Sequence, residues 1–154
     1  MSVILCPEPF APYELLASHE QSLKAGSFGA TASFVGTMRD FNEGDDVVSM
    51  TLEHYPGMTE KQLNSIIEQA KNQWSIIDAL IAHRVGEITP GQPIVLTAIW
   101  SAHRADAFEA CRFLMEALKK DATFWKKETL TDSSTRWVAK NTPGYTSNGI
   151  EGSS

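Results

Sequence analysis

Two segments of the chain carry hydrophobic residues at helical spacing. In 59–74 and in 105–120, apolar residues recur three and four positions apart, which places them on one face of a helix. Both segments are therefore predicted as amphipathic helices, and Thr59 with Gln62 predicts a capping box at the start of the first. A shorter helix is predicted over 12–24, where a proline suits the first turn.

Runs of β-branched and aromatic residues predict the strands. These runs are 3–6, 28–38, 47–55, 76–85 and 94–100, with two shorter pieces near 124–128 and 136–139. The polar stretch 39–46 is predicted as a loop, and 86–93 as a turn-rich connector. Because strands and helices are interspersed, we expect an α+β fold with a mixed or antiparallel sheet and two main amphipathic helices. A single domain is predicted over 1–140, and 141–154 is predicted as a mobile C-terminal tail.

Composition excludes several classes of protein. The 154 residues are 42% hydrophobic and 21% charged, which is ordinary for one soluble domain. The net charge of −6 argues against nucleic-acid binding. No apolar run approaches the ~20 residues that span a bilayer, and the N-terminus lacks the basic region of a signal peptide, so a cytoplasmic location is expected. The four histidines show no i, i+4 pair and the two cysteines no C-x-x-C motif, so no metal site is predicted.

Cations are gathered into short islands on this acidic background. The islands are Gly36–Arg39, Ser101–Arg104, and Lys119–Lys120 followed by Phe124–Glu128. Locally placed cations on an acidic protein indicate a pocket for one small anionic substrate. His103 and Arg104 stand where a strand is predicted to end and a helix to begin, which is a favourable place for a phosphate.

Each island also has a purely structural interpretation. A solvated first turn explains His103–Arg104, and lysines at a helix end complement the helix dipole. Consecutive strand residues point to opposite faces, so at most one of Lys126 and Lys127 enters a given pocket. Cys111 lies on the apolar stripe of its helix, which indicates a core cysteine rather than a sulfur-carrying nucleophile.

Five motifs extend the pattern over most of the chain, between Gly29 and Val138. They are FVGTMRDFNEGD, TLEHYPGMTEK, AHRVGEITPG, SAHRADAFEACRFLMEALKKDATFWKKE and RWV. In order and spacing, these motifs resemble the large, catalytic subunits of molybdopterin synthase, the MoaE family. The resemblance implies an α+β domain of the α/β-hammerhead type.

The same resemblance implies a sulfurtransferase of molybdenum-cofactor biosynthesis. Such enzymes add two sulfurs to cyclic pyranopterin monophosphate to form the dithiolene of molybdopterin. The sulfur arrives on the C-terminal Gly-Gly thiocarboxylate of a small ubiquitin-like partner, so no metal or redox cofactor is implied. The large subunits dimerise and bind one small subunit at each distal end, which gives a heterotetramer.

Site residues follow from the resemblance at matching positions. Lys119 and Lys126 correspond to catalytic lysines, and Phe34 and Met115 to pocket-lining residues. The substrate-contacting positions are Thr37, Met38, Arg39, His103, Arg104, Lys127 and Glu128. Arg136 and Lys140 are further candidates, with Lys140 standing near the place where the family often has an arginine. Lysine does not replace arginine in bidentate phosphate binding.

Spacing along the second main helix adds an expectation about assembly. His103 and Lys119 are sixteen positions apart, roughly 24 Å at ~1.5 Å per residue. One small pterin would not reach both, so we expect an active site shared between two copies of the chain. Two other functions remain open at this stage. One is a non-catalytic binding module for a ubiquitin-like protein, and the other is a phosphate-ester hydrolase, although no metal site or nucleophile triad is evident.

Overall fold

Three helices and two β-sheets make up the part of the chain that the structure describes, residues 1–42 and 44–138 of a computed structural model. The helices are α1 (Pro12–Gln21), α2 (Met58–Gln73) and α3 (Arg104–Asp121). The strands are β1 (Ser2–Cys6), β2 (Ala30–Thr37), β3 (Phe41–Asn42), β4 (Asp45–His54), β5 (Asp78–Arg84), β6 (Gly86–Ile88), β7 (Pro93–Ser101), β8 (Phe124–Leu130) and β9 (Thr135–Trp137). The predicted tail, 141–154, and Lys140 lie outside the described residues.

The first sheet has the strand order β1-β5-β7-β2. Strand β1 runs parallel to β5, and the β5–β7 and β7–β2 pairs are antiparallel. All seven residues of β5 are buried, because both faces of this sheet are covered. Ile81 faces a core shared with α2 and α3, whereas its neighbour Leu80 faces a second core shared with α1.

The second sheet has the order β3-β4-β8-β9, and β6 also pairs with β4. Its core contains Met38, Val47, Met50, Leu52 and Ile88, all at most 6% exposed. Strand β8 follows α3 after a short turn, so this sheet continues directly from the helix that packs on the first. The junction of the two sheets therefore lies at the C-terminal end of α3.

The predicted fold class is confirmed. The structure is α+β, with one mixed and one antiparallel sheet, and α2 and α3 bury the apolar stripes read from the sequence. Cys111 lies in the core against Thr97, with a distance of 3.6 Å between the sulfur and the hydroxyl oxygen, and burial raises the pKa of its thiol. Its interpretation as a core cysteine is confirmed.

Three local predictions were wrong. Part of the loop predicted at 39–46 is a hairpin, in which β3 pairs with Asp45–Asp46 and Gly44 adopts a φ of +80°. The connector predicted at 86–93 contains β6, because Ile88 is apolar and fully buried against β4. The helix N-cap is Gly57, and the Glu60 carboxylate accepts the Gly57 N–H at 3.1 Å, which is one of the two bonds of a capping box because glycine has no side chain to make the other.

Candidate active site

Lys119 and Lys126 meet at the junction of α3 and β8. The two side chains lie close enough for the charge of Lys126 to act on Lys119. Burial, and then the positive charge of Lys126, lowers the pKa of Lys119 to about 7. Lys119 therefore exchanges a proton near neutral pH.

The turn between the two lysines is fixed by α2. The Thr59 side chain is fully buried, and its hydroxyl donates to the Thr123 carbonyl and accepts the Tyr55 N–H, both at 3.0 Å. The Gln62 side-chain oxygen accepts the Thr123 N–H at 2.8 Å and also the Thr123 hydroxyl. Both polar groups of the Thr123 backbone are thus paired with α2, which sets where β8 begins.

Thr59 and Gln62 are positioning residues that sequence reasoning assigned to a different role. Their spacing gave a helix-start signal, but the helix begins one residue before Thr59. Thr59 lies beside the hydrophobic stripe of α2, and this position could have indicated that it bonds outside its own helix rather than capping it. A polar side chain buried beside such a stripe needs a partner outside its own helix.

Thr37–Arg39 lies at the same end of the first sheet as Lys119. Thr37 pairs with Pro93 at the start of β7, and α3 returns along β7 and β2 from the opposite end. Thr37 and Arg39 are exposed. Met38 is only 6% exposed, and its backbone N–H and carbonyl bond to Gln92 and Gly91 at 3.0 and 2.9 Å. Met38 therefore anchors this segment, while its two neighbours face outward.

Phe34 and Met115 are the two residues predicted to line the pocket. Phe34 is 45% exposed on β2, and its ring lies beside Gly36, where an added Cβ would be 3.4 Å from a ring carbon and 2.9 Å from a methyl carbon of Val95. Met115 is half-buried one helical turn before Lys119. Met115 thus supplies apolar surface on α3 beside Lys119, and Phe34 presents an exposed ring on β2, a strand against which α3 packs.

Lys127 and Glu128 have different surroundings from Lys126. The Lys127 ammonium lies 5.7 Å from the centre of the Trp137 ring, on the opposite face of β8 from Lys126. Glu128 is 5% exposed and accepts the Nε–H of Arg136 at 3.0 Å. Arg136 also donates to Asp45 at 2.8 Å. Glu128 and Arg136 thus join β8 to β9 in an ion pair, and Lys127 does not reach Lys119.

His103 and Arg104 lie at the other end of α3. Both are exposed, and the Ser101 hydroxyl holds the loop by donating to the His103 carbonyl at 2.5 Å. Gly29 packs so closely here that an added Cβ would lie 2.4 Å from the Ala102 carbonyl oxygen. Helix α3 runs unbroken for 18 residues from Arg104, so one chain does not bring His103 and Arg104 to Lys119.

Neither a metal-binding cluster nor a membrane-spanning helix occurs among the described residues. In residues 1–42 and 44–138, no group of three or more His, Cys, Asp or Glu side chains is arranged to hold a metal ion. No helix in this part of the chain is long and apolar enough to cross a membrane.

Comparisons with known proteins identify the family. The family model described as MoaE protein matches residues 8–121. A molybdopterin synthase catalytic subunit from Ralstonia nicotianae is 52% identical over 125 residues, which cover 80% of this chain and 70% of the relative. Among solved structures, the molybdopterin biosynthesis MoaE protein from Burkholderia ambifaria matches with a TM-score of 0.75 and 43% identity, over 89% of this chain and 88% of that one.

A more distant structure shows the fold alone. The complex of subunits 1 and 2 of molybdopterin-converting factor from Helicobacter pylori contains a chain that matches with a TM-score of 0.76 at 20% identity. The match covers 92% of this chain and 93% of that one. The family model and the closer relatives confirm the resemblance seen in the five motifs. Since they span most of the sequence, this chain belongs to the MoaE protein family.

Proposed function

We propose that this chain is the catalytic subunit of a molybdopterin synthase. In this role it transfers sulfur from the C-terminal thiocarboxylate of a small ubiquitin-like partner to cyclic pyranopterin monophosphate, forming the molybdopterin dithiolene. Membership of the MoaE family supports the reaction class, and the names of the curated relatives agree with it. A cytoplasmic location is part of the proposal.

The lysine pair is the observation that carries the chemistry. Both substrates are anionic, one through its cyclic phosphate and one through its thiocarboxylate. A cationic Lys126 beside a Lys119 whose pKa is about 7 provides positive charge together with a group that exchanges protons at physiological pH. Excluding water from the site strengthens the attraction between these lysines and the anionic substrates. We assign Lys119 and Lys126 as the catalytic residues.

The surroundings of the pair support the rest of the site. Exposed Thr37 and Arg39 stand at the same end of the first sheet and are suited to contact the phosphate. Phe34 and Met115 offer apolar walls for the narrow tail of the sulfur donor. A small-subunit partner is also consistent with the two-subunit complex of the Helicobacter pylori fold neighbour.

A second copy of the chain completes the site in this proposal. His103 and Arg104 lie at the far end of α3 from Lys119, and both are exposed. A two-fold dimer can place the His103–Arg104 loop of one copy beside the lysine pair of the other. Two such sites would form in each dimer, with a small subunit at each distal end.

Reconstitution tests the function. The purified chain is incubated with thiocarboxylated small subunit and cyclic pyranopterin monophosphate, and dithiolene formation is followed by mass spectrometry. A small subunit that lacks its terminal Gly-Gly serves as the control. We expect product only with the intact thiocarboxylate. Binding of the small subunit without any product would instead support the non-catalytic binding module.

A further inference from the structure

His83 is a buried titratable residue that the site described above does not use. It lies on β5 and is 2% exposed. Its register partners on β1 and β7 are the apolar residues Leu5 and Val95. The imidazole stacks on the ring of Phe124, with centroids 4.0 Å apart and planes 14° apart. Phe124 precedes Lys126 by two residues on β8, so both side chains lie on one face of that strand.

The tautomer of His83 follows from its hydrogen bond. The Nδ1 atom lies 2.7 Å from the Arg84 carbonyl oxygen. A carbonyl oxygen only accepts, so Nδ1 carries the proton and donates it, and Nε2 keeps a lone pair in the neutral ring. The ring is therefore held at one edge by the backbone and on one face by Phe124.

Burial is the main reason that His83 is neutral. Burial lowers the pKa of His83 to about 3, and the hydrogen bond to Arg84 opposes this only in part. The charged groups that act on the ring are Lys119 on α3 and Lys126 on β8, and both lower its pKa further. His83 thus stays neutral at physiological pH and adds no third cation to the lysine pair.

We propose that His83 is a positioning residue for the lysine pair: its neutral ring, fixed by the Arg84 carbonyl and by Phe124, forms the floor beneath Lys119 and Lys126 and presents a dry but polar surface to them. This inference rests on the proposed function for its catalytic consequence. An aromatic ring excludes water from beneath the lysines, and its nitrogen lone pair tolerates an ammonium group that a hydrocarbon would not. The proton equilibrium of Lys119 then depends on His83.

Two substitutions separate the exclusion of water by the ring from the effect of its nitrogen lone pair. His83→Phe keeps the stacking and excludes water but removes the Nε2 lone pair, together with the N–H donor to the Arg84 carbonyl, so the pKa of Lys119 should fall by about one unit. His83→Gln keeps an N–H donor for the Arg84 carbonyl but removes the ring, so water should enter and the pKa should rise by about one unit. A purely structural role predicts no such opposite shifts.

The pKa of Lys119 is measured without substrate. Acetic anhydride modifies only neutral amines, so the rate of Lys119 acetylation against pH, followed by mass spectrometry of its peptide, reports the titration directly. Ile81→Val, on the same face of β5, is the matched control and should weaken the core without moving this titration. The pH profile of single-turnover sulfur transfer should shift in step with the acetylation profile.

The outcomes are distinct. Opposite shifts in the two variants, with none in Ile81→Val, support the positioning role. An unchanged Lys119 titration in both folded variants overturns it. If one variant fails to fold, the other still decides, because each predicts a shift of known sign. Shifts in acetylation together with no dithiolene from the unmodified protein would leave the role of His83 standing and overturn the proposed function.

Discussion

The residue proposed here as catalytic, Lys119, lowers the stability of the fold. In the unfolded chain it holds its proton up to its ordinary pKa of 10.5, but in the folded protein only up to about 7. Between these values the unfolded state binds more protons, so stability rises with pH. The destabilisation caused by Lys119 is therefore complete below pH 7 and is relieved as the pH rises toward 10.5.

Replacing Lys119 by methionine should stabilise the fold. Methionine keeps much of the side-chain volume without the buried charge, so the free energy of unfolding at pH 6 should rise by on the order of 2 kcal/mol. At pH 9 the gain should be smaller, because the folded protein already carries a neutral Lys119 there. Urea denaturation at the two pH values measures both. An equal gain at pH 6 and pH 9 would mean that Lys119 is not destabilised by its charge.

Gly29 packs against the loop before α3 so closely that no side chain fits between them. An added Cβ would meet the Ala102 carbonyl oxygen at 2.4 Å, which is backbone and cannot move aside alone. Gly29→Ala should therefore displace the His103–Arg104 loop, lower the free energy of unfolding by about 1–3 kcal/mol and raise KM for the pterin. Ile99→Val, in the buried core, should destabilise without changing KM. A normal KM in Gly29→Ala would remove this loop from substrate binding.

At the scale of elements, burial decided which predictions succeeded. Helices α2 and α3 were predictable because their apolar stripes match the face that packs on the first sheet. Strand β6 was missed because three residues are too few to show a pattern, and Ile88 is buried by pairing with β4 and by a core whose members are distant in sequence. The Thr59 and Gln62 bonds to Thr123 join residues more than sixty positions apart, which local spacing cannot reveal.

The link between α2 and the turn at Thr123 can be cut with one substitution. Thr59→Val keeps the shape of the side chain but leaves the Thr123 carbonyl and the Tyr55 N–H without their partner. The free energy of unfolding should fall by about 1–3 kcal/mol, and sulfur transfer should slow because β8 no longer begins at a fixed place. Ser65→Ala, at an exposed position on α2, is the control. Equal rates in the two variants would show that the turn is held by other contacts.

At the scale of the whole molecule, the candidate site falls into two groups. Lys119 and Thr37–Arg39 lie at one end of the first sheet, with Lys126 on β8 close to Lys119, and His103 and Arg104 lie at the other end. The sequence predicted this separation through the length of the helix. Which residues belong to each group could be assigned only from the structure. Glu128 pairs with Arg136 there, and the Lys127 ammonium lies near the Trp137 ring.

Mixed dimers test whether two copies share the site. Lys119→Ala and Arg104→Ala chains are each expected to be inactive as homodimers. If the site is composite, a heterodimer of the two has one site with both lesions and one site with none, so about half of the normal activity should return. Purification with two different affinity tags isolates the heterodimer. No recovery in verified heterodimers would show that each chain builds its own site.

The most direct test of the central claim compares neighbouring lysines on opposite faces of β8. Single-turnover dithiolene formation is measured with thiocarboxylated small subunit for Lys119→Ala, Lys126→Ala and Lys127→Ala, after circular dichroism has shown that each is folded. Removal of either member of the lysine pair should slow the reaction by about 100-fold or more, whereas Lys127→Ala should remain within several-fold of the unmodified protein. Near-normal turnover in a folded Lys119→Ala or Lys126→Ala protein would contradict catalysis by the lysine pair.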